Sequence, residues 1–216
     1  MGKYENGNFT RKTILDISKK LFLEKGFHET SNEDICRAAH VNRSAIRYHF
    51  RDKENLRYEV LWQIFMEYRA IASRYCQEEG LQMTTAIYLS WCHVIKDAKV
   101  RRFHVDYSRD YPVYIPNKTL PSYYRLLYQH TLGEIWPMDK LSSLSFSSIY
   151  GHLMGQMQLV DSQPEQYSGK ELFLHGMKVC LIGWDIPEEK GKEFWQKMVD
   201  AIEKVPETAL EEFKKI

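Results

Sequence analysis

The sequence predicts an all-α protein, with a small helix-turn-helix domain over residues 1–55 joined by a long helix to a larger helical domain over residues 56–216. Three observations predict this class. Apolar residues recur every three to four positions through most of the 216 residues. Prolines and glycines interrupt that rhythm between segments. No stretch keeps the strict apolar–polar alternation of a half-buried strand.

The composition indicates a globular chain with a core, since 44% of the residues are hydrophobic and 27% are charged. No window approaches the roughly 18 uninterrupted apolar residues of a membrane span. The polar start of the chain does not resemble a signal peptide, so we expect a soluble, cytoplasmic protein. The four cysteines have no C-x-x-C spacing and predict buried, reduced thiols.

The net charge of +1 conceals an asymmetry along the chain. Residues 1–57 contain 12 Lys and Arg against 8 Asp and Glu, a net of +4, whereas the remaining 159 residues contain 18 against 21, a net of −3. The positive field therefore lies on the N-terminal part, where it would favour contact with phosphate.

The first two helices are predicted from their spacing and their end signals. An apolar stripe runs from Phe9 to Lys25, and Gly26 is placed to end that helix in a left-handed conformation. Thr30 and Ser31 then offer hydroxyls that can cap a second helix, with an acidic residue three positions on. This second helix is expected to run to about residue 39.

The third helix is short and unusually polar. We expect Asn42 to cap its N-terminus, and Ile46 and Phe50, four residues apart, to face inward. Its other side chains are cations, hydroxyls and hydrogen-bonding rings: Arg43, Ser44, Arg47, Tyr48 and His49. A short helix with that outer face suits the major groove of DNA.

The remaining chain is helical in rhythm as well. A helix capped by Asp52 is predicted from Lys53 to about Cys76, with Gly80 as its break. Further helices are expected at about 82–99, 101–109, 118–132, 140–160, 168–183 and 187–204, with a short one at 207–215.

These N-terminal motifs resemble the DNA-binding domain of the TetR family of bacterial transcriptional regulators. The matching pieces are Gly26-Phe27, Thr30-Ser31 with Ile35-Cys36, Val41, Ile46 to Phe50, and Lys53 to Leu56. The sequence departs from the family pattern at Asn32, at Ser44 and at Arg47, which stands where a Tyr is usual. The resemblance implies a homodimer that places its third helices in successive major grooves of a near-palindromic operator, usually as a repressor.

Within that motif, the residue chemistry separates base contacts from phosphate contacts. Arg43 and Ser44 are the best candidates for base edges, Arg43 for guanine O6 and N7. The other predicted DNA-binding residues are Ser31, Asn42, Arg47, Tyr48, His49 and Lys53. Most of these are assigned to phosphates, two of them at helix N-termini.

The family resemblance also implies a small-molecule site and a dimer interface in the larger domain. Six of the fourteen tyrosines lie between residues 107 and 128, which indicates either an aromatic cavity or ordinary core packing. The predicted ligand-binding residues are Trp91, His93, Phe103, His104, Tyr107, Tyr111, Tyr124 and Tyr128. A ligand between the 82–132 helices and the long helix would tilt the latter and change the separation of the two DNA-reading helices.

Small and apolar residues along 141–184 favour an intersubunit four-helix bundle over a purely intramolecular core. The predicted interface residues are Ser148, Gly151, Met154, Gly155, Leu174, Met177 and Leu181.

Other classes of function are weaker. The chain has no P-loop, no G-x-S-x-G and no G-x-G-x-x-G, and its histidines and cysteines lack metal-ligand spacing, so we expect neither an enzyme nor a cofactor. A regulator that responds to a metal, or to a protein partner, stays open as an alternative.

Overall fold

The computed structural model of the chain describes residues 2–110, 140–184 and 186–213. Within these ranges the secondary structure is helical, without a strand, which confirms the predicted all-α class. The helices are α1 Gly2–Glu24, α2 Asn32–Ala39, α3 Arg43–Phe50, α4 Lys53–Ala72, α5 Glu79–Lys96, α6 Ala98–Asp110, α7 Lys140–Ser162, α8 Gly169–Gly183 and α9 Glu188–Glu203. Two 3-10 turns follow α7 and α9, at Pro164–Gln166 and Glu207–Glu212. The helix predicted at 118–132 lies outside the described residues.

Contacts group the chain into two compact units, Met1–Ile64 and Phe65–Lys214. The residues of α4 belong to both units. The boundary predicted after residue 55 stays a prediction.

The connection between α1 and α2 forms as its end signals predict. Gly26 has a φ of 102°, a left-handed conformation that glycine adopts without strain. Ser31 and Asp34 form a reciprocal capping box, in which each side chain accepts a hydrogen bond from the other residue's backbone N–H. Thr30 instead donates its hydroxyl to the Gly26 carbonyl, at 2.6 Å.

The third helix is fixed at its start and along one face. Asn42 caps it, since its Oδ1 accepts the backbone N–H of Ala45 at 3.1 Å. Ile46 and Phe50 are buried, as their four-residue spacing predicts. His40 precedes the turn in a left-handed conformation at φ 53°.

The end of α4 differs from the prediction. Asp52 caps the helix through the N–H of Asn55 at 2.7 Å, but the helix ends at Ala72 rather than near residue 76. Gly80 is buried in the first turn of α5 and breaks no helix. The prediction that Gly80 ends the long helix is therefore wrong, because α4 has already ended at Ala72 and Gly80 belongs to the next helix.

The second unit is a set of packed helices. α5 packs against α6, α8 and α9, and α7 packs against α6 and α8. At the closest approach, a Cβ built on Gly169 of α8 would lie 2.6 Å from the Cα and backbone N of Cys92 on α5. Glycine is thus required where these helices meet.

Candidate functional site

The outward face of α3 is a compact set of exposed polar side chains. Tyr48 is 84% exposed, the Arg43 side chain is 72% exposed, and Ser44 and Arg47 are exposed as well. The opposite face is anchored in the core by Ile46 and the following turn. An eight-residue helix with a buried anchor and an exposed cationic face can present donors to base edges.

The first turn of α3 carries its own hydrogen-bond network. Ser44 donates its hydroxyl to the Oδ1 of Asn42 at 2.6 Å, the same oxygen that caps the helix. Arg43 forms an ion pair with Glu33 of α2 at 3.3 Å, and both side chains are exposed. An exposed pair of this kind contributes at most about 1 kcal/mol, so the guanidinium can exchange its partner at low cost.

Lys53 is placed differently from the predicted phosphate contact. Its ammonium donates to the carbonyls of Phe27 and Thr30, at 2.9 and 2.7 Å, and lies 4.2 Å from the centroid of the Phe27 ring. These contacts tether the connection between α1 and α2 to the start of α4. The ammonium therefore binds the protein's own backbone in this structure, and its contact with phosphate stays a prediction.

A second cation at this ring was not singled out from the sequence. The Arg57 side chain has no exposed surface, its guanidinium carbon lies 3.6 Å from the Phe27 ring centroid, and it pairs with Glu54 at 2.8 Å. Phe27 is also in edge contact with Phe22, with ring centroids 5.1 Å apart. Helical spacing could have indicated Arg57, because Lys53 and Arg57 are four residues apart and lie on the stripe that continues with the buried residues of α4.

Two other predicted DNA-binding side chains, Ser31 and His49, make contacts within the first unit. Ser31 uses its hydroxyl oxygen in the capping box of α2. His49 is half-buried between the rings of Tyr48 and Phe50, with centroids 4.9 and 6.2 Å away. The residues of α3 are thus brought together on one helix, whereas the side chains of Ser31 and Asn42 act mainly as caps.

In the second unit, one of the predicted ligand-binding residues, His93, is part of an aromatic cluster. His93 of α5 shares a hydrogen bond with the Tyr68 hydroxyl of α4 at 2.9 Å, and its ring centroid lies 4.5 Å from that of Phe213. Tyr68 stacks on Phe213 at 5.0 Å, and burial raises its pKa well above the usual value. Trp91 is buried nearby in sequence on α5. Sequence reasoning missed Tyr68 and Phe213 because they come from distant segments.

His104 of α6 is the most unusual polar group of this unit. The residue is half-buried, and its Nε2 is buried without a hydrogen-bond partner. Burial, with the nearby His93, lowers the pKa of His104 to about 4, so the ring is neutral at pH 7. Phe103 is fully buried beside it and Tyr107 is half-buried. Tyr111, Tyr124 and Tyr128 lie outside the described residues.

Most of the predicted dimer-interface residues lie on accessible parts of α7 and α8. Ser148, Gly151 and Gly155 are exposed, and a Cβ built on either glycine would meet no atom within 4 Å. Met154, Leu174 and Leu181 are half-buried. Met177 is only 3% exposed and packs in the protomer's own core, so we withdraw it from the predicted surface. Ile182, on the same helix, is 80% exposed.

Two further properties concern the described residues alone. None of the helices there has the length and apolar character needed to cross a membrane. No group of three or more His, Cys, Asp and Glu side chains is arranged to hold a metal ion in the described part of the chain.

The fold of the first unit and the exposed face of α3 define a helix-turn-helix DNA-binding domain. Residues 14–60 match the model of the bacterial regulatory proteins of the tetR family. The predicted resemblance to the TetR family of bacterial regulatory proteins is therefore confirmed for this part of the chain.

The chain is similar to two named regulators. It is 44% identical over 55 residues to the HTH-type transcriptional regulator AcrR of Shigella flexneri, a match that covers 26% of this chain and 25% of AcrR. The matched region thus spans about a quarter of that relative's length. Over 143 residues it is 22% identical to the HTH-type transcriptional regulator QacR of Staphylococcus aureus, covering 61% of this chain and 76% of QacR.

A solved structure that resembles the chain is a TetR-family transcriptional regulator from Pectobacterium atrosepticum. The alignment covers 94% of each chain at 18% identity, with a TM-score of 0.44.

Proposed function

We propose that this protein is a homodimeric transcriptional repressor that binds a near-palindromic operator and is released by a small-molecule effector held in the Phe65–Lys214 unit. The observation that carries the proposal is the exposed face of α3, with Arg43, Ser44, Arg47 and Tyr48 on a helix anchored by buried apolar residues. Each subunit would place this face in one major groove.

Arg43 is the residue that reads bases in this proposal. It stands in the first turn of α3, and its exposed ion pair with Glu33 leaves the guanidinium free to turn toward a guanine. A bidentate contact to guanine O6 and N7 discriminates against other bases by about 1–3 kcal/mol. Arg47 and Tyr48, further along the helix, would contact phosphates and set the register.

The effector site is proposed around His93 and His104. A buried imidazole nitrogen without a partner costs free energy, which a ligand with a complementary polar group would recover. The hydrogen bond between His93 and Tyr68 ties this region to α4. An effector that displaced this bond would shift α4, and a 100-fold preference for the shifted state supplies about 2.7 kcal/mol toward release.

The proposed dimer uses the exposed side of α7 and α8. Gly151 and Gly155 leave the backbone of α7 open to close approach by a second helix. Ile182 adds an exposed apolar side chain on α8, which a second protomer would cover. A two-fold pair of these helices would bury both features.

The test of operator binding is selection of bound sequences from random duplex DNA by the purified protein. We expect a near-palindrome whose half-sites are about 34 Å, or one helical turn, apart. Arg43→Ala should relax the preference at one base of each half-site, whereas Arg37→Ala, at an exposed position of α2, should leave the selected sequence unchanged. A uniform loss of affinity for every sequence in the Arg43 variant would refute its role in base reading.

The test of the effector uses a library of small organic molecules, with thermal unfolding and operator affinity measured on the same samples. Compounds that raise the unfolding temperature should also weaken operator binding. His104→Phe should reduce both responses while operator affinity without ligand is unchanged. If no compound changes the two together, the effector part of the proposal is wrong.

A further inference from the structure

Two histidines face each other across the contact between α7 and α8. The Nε2 of His152 lies 3.3 Å from the Nδ1 of His175, and the ring centroids are 5.0 Å apart. His175 is exposed and His152 is half-buried, so solvent reaches the pair. This arrangement plays no part in the proposed reading of DNA or in the proposed effector site.

The two rings are carried by helices that are fixed to each other. One turn after His152, the buried Gln156 donates its amide to the carbonyl of Leu172 at 2.8 Å. A Cβ built on Gly176 would lie 3.3 Å from the amide oxygen of Gln156, so the helices approach closely beside His175. The packing of the helices therefore fixes the separation of the two backbone positions that carry the imidazoles.

The separation of the two nitrogens matches the bite of a metal chelate. Two imidazole nitrogens bound to a tetrahedral ion at 2.0–2.1 Å are about 3.3–3.4 Å apart. A hydrogen bond from a ring N–H has its most frequent length near 2.9–3.0 Å, so 3.3 Å is long for that interaction. Both facing atoms are also the atoms through which imidazole binds metals.

We propose that His152 and His175 chelate one divalent transition-metal ion of the zinc, copper and nickel class. Imidazole is a favoured ligand of these ions, whereas calcium and magnesium require oxygen. With two protein ligands and access to solvent, the ion completes its coordination with water and stays exchangeable. The site is thus one for a metal that comes and goes, unlike a closed structural zinc site.

A metal ion bound by this pair would lie beside the proposed dimer surface. His152 shares a helical face with Ser148 and Gly155, and His175 shares one with Ile182, two turns away. This step rests on the proposed dimer, because it is that dimer which would bring these faces together. The chelate itself requires one chain only.

The experiment is titration of the metal-free full-length protein with zinc, followed by calorimetry. We expect one ion per chain, and a loss of affinity of at least about tenfold in His152→Ala and in His175→Ala, since even outer-shell partners of a ligand cost about 10–100-fold. His28→Ala, at an exposed histidine of the first unit, is the matched control and should bind zinc as the wild type does. Equal affinity in the wild type and the doubly substituted H152A/H175A protein would overturn the proposal.

Cobalt substitution identifies the ligands independently of folding. The visible bands of bound cobalt should be present in the wild type and absent in the double variant, whose helical circular dichroism should be unchanged. A sulfur-to-cobalt charge-transfer band would assign the site to a cysteine and contradict the proposal.

Size-exclusion chromatography in EDTA gives the oligomeric state of the metal-free protein, and the zinc titration described above gives the ligands. A metal-free monomer that then binds one zinc through the pair would refute the dimer and support the chelate. A dimer whose zinc affinity is the same with and without the two histidines would support the dimer and refute the chelate.

Discussion

The two units of this protein place their functional side chains in opposite ways. In Met1–Ile64 the candidate contact residues come from one helix of eight residues and its cap. In Phe65–Lys214 the cluster around His93 combines side chains from α4, α5 and the C-terminal end of the chain. The proposed DNA-reading surface is thus encoded locally, whereas the proposed effector site depends on tertiary packing.

The largest expected effect tests whether the unit that carries α3 depends on the contact between Arg57 and the Phe27 ring. Arg57→Ala removes a fully buried side chain and its contact with the Phe27 ring, and we expect a loss of about 3 kcal/mol from the free energy of unfolding. Urea titration followed by circular dichroism measures this loss. Arg37→Ala, at an exposed arginine, should stay within about 0.5 kcal/mol of the wild type. Equal effects of the two substitutions would mean that the Phe27 contact contributes nothing.

The next effect tests the tertiary origin of the second site through pH. The pKa of His104 is lowered from 6.5 to about 4, so the unfolded chain binds the proton first as the pH falls. Stability is therefore fully present above pH 6.5 and falls by up to about 2.5 kcal/mol between pH 6.5 and 4.5.

His104→Gln should flatten the slope of unfolding free energy against pH in that window. Urea unfolding at several pH values, with the slopes of wild type and variant compared, gives the measurement. Parallel slopes would show that His104 is not buried in the neutral form.

A third substitution compares helix packing in the second unit with a free helical position in the first. Gly169→Ala places a Cβ 2.6 Å from the backbone of Cys92, and we expect a loss of about 2 kcal/mol as α5 and α8 separate. Gly7→Ala, where a Cβ meets no atom within 4 Å, should be neutral or stabilising by up to about 1 kcal/mol. Thermal unfolding of both variants is the measurement. Equal shifts of the unfolding temperature would contradict the close approach of Gly169 to Cys92.

The smallest effect concerns the cap of the reading helix. Asn42→Ala removes the acceptor for the N–H of Ala45 and for the hydroxyl of Ser44, and should cost about 1 kcal/mol of stability. Asn42→Ser keeps a capping oxygen and should recover most of that loss. Operator affinity should follow stability in both variants. A loss of affinity in the serine variant without a loss of stability would instead make Asn42 a direct DNA contact.

Local signals were sufficient for most of the first unit. The left-handed Gly26, the capping box at Ser31 and the cap at Asn42 each follow from residues within four positions of one another, so the sequence predicts them correctly. The anchors Ile46 and Phe50 were likewise predicted from their spacing.

Partners that are distant in the chain decided the remaining features. Lys53 was predicted to face phosphate, but two carbonyls of the preceding connection bind its ammonium. Gly80 was predicted to break the long helix, but it lies buried in the first turn of the next one. Met177 was placed on a surface, although helical spacing alone does not show which apolar face of α8 the protomer covers itself.

The two cations over Phe27 also determine how the DNA-reading part of such a protein can be exchanged. A chimaera that takes residues only through Phe50 leaves behind Lys53 and Arg57, and with them the groups that cover the aromatic ring. A junction after Ile64 transfers the helices together with their support. If α3 reads DNA as proposed, its specificity is portable as a segment of about sixty residues, and not as the eight-residue helix alone.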